Sequence, residues 1–225
     1  MLVTVLGKYG PYPKANGGTS GYLVQSGGTA VMLDFGSGAL GRVQRFLPLE
    51  KLDAVVLSHL HNDHMCDMLP LAYALEATKR TLPVYMPAFE CPQGAAICAQ
   101  KELCVHYLQN ESTFQIGALT FTCTQMVHPY PSFAVRVSDG MKTLFYSGDT
   151  AVCPQLAPAA QGSDLLLLDC GKCEGTNAPH LSLSEAKALV KALDIPALVS
   201  HLNPALTYKS TAGLTVVQEG KTYTG

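Results

Sequence analysis

Apolar and polar positions alternate in short bursts along this chain, and the period shifts between two and about 3.6 residues from one burst to the next. Residues 2–6, 21–25, 30–33 and 53–58 are brief apolar or alternating runs bounded by Gly, Pro or Asp, a pattern that predicts strands. Between them, residues 39–47 carry Leu40, Val43 and Leu47 at helical spacing, and Pro48 ends the segment. Met68, Leu71, Ala72 and Leu75 continue a second helical period to about Lys79. The later half repeats the style. Residues 119–126, 132–137, 143–146 and 165–169 read as strands, the last an unbroken leucine run of the kind that is covered on both faces. Ser182-Leu-Ser-Glu185 matches a capping box and predicts a helix over 183–193, with Ala186, Leu189, Val190 and Leu193 on its buried side. Residues 197–200 then form a strand that runs into His201.

Two strand-rich halves with helices between the strands predict an α/β chain, a four-layer α/β/β/α sandwich with its loops gathered at one edge. No low-complexity or Gly/Ser/Pro-rich linker divides it, so residues 1–225 read as one domain. With 225 residues and 48% apolar content the chain can bury a full core. Its net charge of -2 carries no chain-wide basic footprint, so a nucleic-acid partner is not favoured, although a local patch is compatible with the total. The first residues lack a basic n-region, and no apolar run approaches the roughly 18 residues of a membrane span. A cytoplasmic protein without a membrane partner is the expectation.

The eight cysteines, at 66, 91, 98, 104, 123, 153, 170 and 173, are expected to be reduced in such a compartment. Cys170-Gly-Lys-Cys173 has the spacing of a redox or zinc pair but stands alone, and mostly buried, inert thiols are the plainer reading. Cys91, Cys98 and Cys104 suit one side of a helix as well as they suit a metal site.

The densest chemistry lies in His59-Leu-His61-Asn-Asp63-His64. An extended i, i+2 spacing at the end of the 53–58 strand points His59 and His61 to one side, and the following turn can aim Asp63 and His64 at a neighbouring ion. Imidazole and carboxylate donors suit zinc, and also manganese or iron. The bland alternative is a polar surface loop of satisfied histidines. More donors must come from distant sequence, and His128, Asp149 and His201 each read as a polar residue directly after an apolar strand.

An HxHxDH cluster, a later strand-end His, Ser147-Gly-Asp-Thr150 and Ser200-His-Leu202 together resemble the metallo-β-lactamase superfamily, over nearly the whole chain. The resemblance implies its sandwich fold and two divalent ions, one held by His59, His61 and His128 and the other by Asp63, His64 and His201, with Asp149 between them. It also implies hydrolysis, since two adjacent ions can lower the pKa of a shared water and clamp both oxygens of a displacement.

The segment His128-Pro-Tyr-Pro-Ser-Phe-Ala-Val-Arg136 resembles the ribonuclease Z-like phosphodiesterase branch, and the Thr-Pro-Gly-His-Thr style segment of glyoxalase II-type thioesterases is absent. Pro179-His180-Leu-Ser182 resembles that branch's extra histidine motif, which makes His180, with Asp63, a candidate catalytic group; the alternative for His180 is a residue packed beside the capping box. Gly7-Lys-Tyr-Gly10 stands where ribonuclease Z has Gly-Thr-Gly, and residues 81–117 are too short and too poor in cations to be its transfer-RNA-gripping arm. The substrate expected is a small nucleotide or cyclic phosphodiester, with a thioester or lactone as the alternative and transfer-RNA processing or a non-catalytic metal-binding role less favoured. Lys8, Lys14, Asn16, Tyr130 and Ser132 are candidate substrate contacts, with a solvated loop as the alternative for the first three. Asp34 is expected to cap the turn or to act as an acceptor behind a ligand histidine, and Gly148 to give the backbone geometry that lets Asp149 approach both ions. A homodimer is suggested by the resemblance alone.

Overall fold

The first apolar runs pair with one another as their alternation requires. In the computed structural model, which describes residues 1–206, 211 and 213–224, β1 (Leu2–Gly7), β2 (Gly21–Ser26) and β3 (Thr29–Phe35) form an antiparallel meander. After α1 (Ala39–Val43), strand β4 (Ala54–Val56) joins β3 in parallel. The short α2 (Asn62–Met65) and α3 (Met68–Thr78) lead to β5 (Leu82–Pro87), and α4 (Pro92–Cys98) leads to β6 (Leu103–Leu108), both added in parallel.

The second sheet repeats the plan. β7 (Thr113–Ile116), β8 (Leu119–Met126), β9 (Ser132–Ser138) and β10 (Thr143–Tyr146) run antiparallel, each to the next. Past α5 (Leu156–Ala160) comes β11 (Leu165–Asp169), and past α6 (Leu183–Leu193) come β12 (Ala197–Ser200) and β13 (Thr215–Val216), all parallel additions. Finally β14 (Thr222–Thr224) returns to β1, giving the orders β14-β1-β2-β3-β4-β5-β6 and β13-β12-β11-β10-β9-β8-β7.

Burial places these sheets face to face with helices outside. Val3, Val5, Val24 and Val56 of the first sheet share an inner core with Phe121, Val135, Leu144 and Leu167 of the second. Met68, Leu71 and Leu75 of α3 cover the far side of the first sheet, and Leu183 and Ala186 of α6 cover that of the second. The leucine run of β11 shows why it had to be apolar throughout: Leu165 and Leu167 face the inner core while Leu166 and Leu168 face the helices. The four-layer α/β/β/α sandwich is therefore present. Its α6 begins with the expected capping box, Glu185 N donating to Ser182 Oγ at 3.3 Å and Ser182 N to Glu185 Oε2 at 2.8 Å. Among the described residues no helix is long and apolar enough to cross a membrane.

Several bounds differ from the sequence expectation. The 39–47 helix stops at Val43, since Pro48 disfavours helical backbone before it and Gly41 weakens so short a helix. The 53–58 strand keeps its ladder only over Ala54–Val56, because Ser58 N turns to the carboxylate of Asp34 instead (2.7 Å). The cysteines at 91, 98 and 104 do not line one helix. Cys91 caps α4, Cys98 ends it and Cys104 lies on β6.

Leu167 is fully buried between the sheets, and Leu167→Ala is expected to destabilise the chain by about 2–5 kcal/mol. Urea unfolding monitored by circular dichroism measures this; a loss below about 1 kcal/mol would mean that the inner core is not packed as described.

Candidate metal centre

Each donor sits where a strand gives out at one edge of the sandwich. His59 follows β4 through Leu57 and Ser58, and His61, in extended backbone (φ -67°, ψ 148°), caps α2, whose first turn carries Asp63 and His64. His128 follows β8, Asp149 follows β10 and His201 follows β12. Two of these turns need left-handed backbone. At Gly148 (φ 56°) a Cβ would stand 2.8 Å from Phe133 O, so glycine is what allows the chain to turn Asp149 inward. His201 is itself left-handed (φ 53°), and flanking contacts hold it there. Leu202 N donates to Lys8 O at 2.7 Å, and a Cβ on Gly10 would fall 2.0 Å from His201 Nε2. Only a bare backbone fits beside that ring.

The side chains converge on one oxygen. Asp149 Oδ2 lies 3.2 Å from His201 Nε2, 3.3 Å from His64 Nε2, 3.6 Å from His59 Nε2 and 4.0 Å from His128 Nε2. His59, His61, His128 and Asp149 each offer a donor atom within 4.8 Å of the others, and so do Asp63, His64 and His201. Donors about 2.1 Å from a tetrahedral ion stand roughly 3.4 Å apart, so the spacings suit metal binding. The orphaned atoms agree: His64 Nε2 and Asp149 Oδ1 are buried without hydrogen-bond partners, and His59 Nε2 faces His61 Nδ1 at 3.0 Å. A cation satisfies such lone pairs where no donor does. No cysteine enters such a group among the described residues.

Burial and charge sort the imidazoles into two kinds. Burial, then the neighbouring imidazoles, hold His59 well below its ordinary pKa; burial also lowers His61 and brings His128 down to about 4. His64 and His201 go the other way: burial opposes their charge, but the carboxylates, Asp149 foremost, outweigh it and hold both well above the ordinary value. Burial would raise Asp63, and His64 and His201 overcome it to hold that carboxyl low. The low-pKa imidazoles keep lone pairs free to ligate, while the carboxylates around His64 and His201 favour a positive charge there, which a bound divalent ion would supply in place of protons.

Behind the donors stand two carboxylates. Asp34 accepts from His64 Nδ1 at 2.7 Å, Ser58 Oγ at 2.8 Å and the Tyr146 hydroxyl, which leaves His64 Nε2 turned to the site. Asp169, at the end of β11, accepts from His180 Nδ1 at 2.9 Å and lies 3.3 Å from His201 Nδ1. Sequence reasoning passed over Asp169, although the signal that marked the other donors, a polar residue closing an apolar strand, applies to it equally. His180 stands 3.7 Å from Asp149 Oδ2 and is 20% exposed, more open than the 3% of Asp149.

The candidate substrate contacts part company. Tyr130 rests on His61, ring centroids 4.1 Å apart, and meets Phe89 at 4.8 Å, so it borders the site. Ser132 is fully buried and donates to Asp149 O at 2.8 Å, which puts it behind the site as a support for the turn and closes it to substrate. Lys14 is exposed on the opening loop.

Residues 15–201 match a family model described as a beta-lactamase superfamily domain. The chain is 36% identical over 200 residues to the "Probable metallo-hydrolase YhfI" of Bacillus subtilis (strain 168), covering 85% of this chain and 82% of that one. It superposes on the crystal structure of the metallo-beta-lactamase fold protein YhfI with a TM-score of 0.93 and 30% identity, over 100% of this chain and 98% of the other. The short form of human tRNase Z has the same fold, with a TM-score of 0.82 at 17% identity, over 100% and 99% of the two chains.

Removing the acceptor behind His64 should loosen the ion beside it. Asp34→Ala is expected to lower metal affinity by about 10- to 100-fold, read by competition with a chromophoric chelator. Affinity equal to that of the parent chain would show that Asp34 does not orient His64 for an ion.

Proposed function

Because the chain belongs to the metallo-β-lactamase superfamily of hydrolases, we propose that it is a dinuclear phosphodiesterase acting on a small nucleotide or cyclic phosphodiester. The observation that carries this reading is His180, a partly exposed imidazole hydrogen-bonded to Asp169 and 3.7 Å from Asp149 Oδ2. Burial would lower its pKa, but Asp169 outweighs burial and the net shift is upward, which favours the protonated ring. Such a group can hydrogen-bond the phosphoryl oxygens as their charge grows, or hand a proton to the departing alkoxide.

In this reading His59, His61, His128 and Asp149 would hold one divalent ion, zinc by donor chemistry, and Asp63, His64 and His201, with Asp149 beside them, would hold the other. The ions supply Lewis acidity and a water of lowered pKa. The protein's part is to fix the donors. Asp34 and Asp169 aim the imidazoles, and Gly10 and Gly148 leave room for His201 and Asp149.

The charges around the mouth favour a small substrate. Of the described lysines of the opening loop and the segment before His180, Lys172 is tied to Glu185 at 2.7 Å and Lys8 to Val217 O at 3.1 Å, while Lys14 is exposed and available to an anion. A polyanion such as transfer RNA draws its affinity from many cations, whereas a monoanionic diester needs few.

Metal-loaded protein is expected to cleave bis(p-nitrophenyl) phosphate, with Asp63→Ala and Asp149→Ala near background and His180→Ala lowered on the order of 100-fold. Absence of turnover with both metal sites shown to be filled would sink the phosphodiesterase reading. Turnover of thioesters or lactones in the same panel would move the assignment to carbonyl substrates.

A further inference from the structure

The sandwich leaves four strands at its sheet edges, and they are not alike. β13 has two residues, β14 three and β7 four. β6 has six, Leu103-Cys-Val-His-Tyr-Leu108, with no charge, proline or glycine to blunt it. Edges that must stay single are short, charged or bulged, and a long uncharged edge is a template for another strand. Leu103 and Val105 belong to the helix-side core and Leu108 to the inner one, while Cys104, His106 and Tyr107 are exposed, Tyr107 to 56%. Cys104 and His106, two apart on a strand, share a face, and Cys104 Sγ lies 3.6 Å from His106 Nε2. Tyr85 of β5 stacks on the His106 ring, centroids 4.8 Å apart at 21°, and so restrains its orientation.

We propose that β6 is a self-pairing edge: a second copy of this chain docks on it antiparallel, and the Cys104 and His106 side chains of both copies close a Cys2His2 site for a zinc-like ion. The strand is self-complementary about Val105. A two-fold axis there sets Cys104 opposite His106 of the partner subunit, and Leu103 opposite Tyr107 of the partner subunit. Residues opposite one another in such a pair have Cβ atoms roughly 5 Å apart, and next-but-one residues along the strand are about 7 Å apart. Two thiols and two imidazoles thus share one face within reach of a tetrahedral ion, at about 2.3 Å for sulfur and 2.0 Å for nitrogen. Each thiol releases its proton to solvent on binding, and two thiolates with two neutral imidazoles balance a divalent charge. Cys98 takes no part, because it lies on the Tyr107 side of the strand, 3.6 Å from that hydroxyl. β6 is two strands from β4, roughly 10 Å across the sheet, so the junction leaves the donor cluster at the strand ends untouched.

Sedimentation velocity under reducing conditions, with and without Zn2+, tests this on the full chain. The parent chain is expected to dimerise on adding zinc and to bind one more ion per two chains than Cys104→Ser. That variant should sediment as a monomer while retaining the parent's fold by circular dichroism and its rate on bis(p-nitrophenyl) phosphate. Tyr107→Lys, which leaves the donors in place but charges the pairing edge, should weaken the dimer at least tenfold. A parent chain that stays monomeric at saturating zinc overturns the proposal, and so does a dimer that Cys104→Ser leaves intact.

Discussion

Buried negative charge that demands cations is the constraint around which this chain is arranged. Asp34, Asp63, Asp149 and Asp169 are all buried within one cluster of imidazoles. Uncompensated carboxylates at that depth would cost several kcal/mol each, so protons on His64 and His201, or metal ions, must stand among them. The strands β4, β8, β10, β11 and β12 all end at this cluster. The departures from ordinary backbone serve it too. His201 and Asp34 are left-handed (φ 53° and 56°), as is Gly148 (φ 56°), and a Cβ on Gly171 would reach within 2.8 Å of His201 Nδ1. Relaxing any of these would move a charge away from its partner.

Much of this was legible in the chain because the strands that carry the donors have clear patterns. Residues 143–146, 165–169 and 197–200 have the expected bounds, since burial on both sides leaves an apolar run with sharp ends, and 119–126 keeps its bounds through alternation with one face buried. The metal donors stand out as the first ionisable residues beyond those ends, or as the local HxHxDH cluster. Residues 81–117 were obscure for the opposite reason. β5 has prolines at 83 and 87, and β6 and β7 lie at the open side of the sandwich, where exposed Cys104, His106 and Tyr107 break the alternation of β6 and no residue of β7 is fully buried. The role of Ser132 was illegible on other grounds. A serine opening a strand looks like a surface group, and only the docking of β9 against the Asp149 turn, with Ser132 Oγ donating to Asp149 O at 2.8 Å, makes it a buried support.

The walls of the site differ from its floor. The floor is ionic and rigid, fixed by hydrogen bonds such as Tyr22 Oη to Ser200 Oγ at 2.7 Å beneath β12. The walls are aromatic and half-open, with Tyr130 and Phe89 on the side of His61 and the opening loop on the side of His201. The aromatic wall at Tyr130 and Phe89 can therefore change without disturbing the charges below.

The donor groups divide unevenly between the sheets. Asp149, Asp169, His180 and His201 all come from the second sheet and its loops, whereas His59 and His61 close a group only with His128 and Asp149, and Asp63 and His64 only with His201. Neither sheet alone can assemble either group that the HxHxDH segment enters, however well its own strands are formed. Filling both of those groups thus records that the halves have met in register, and a chain arrested before that meeting would hold metal only through its local histidines or the second sheet's own donors. Two ions per chain in a purified sample is in this sense a measure of correct assembly.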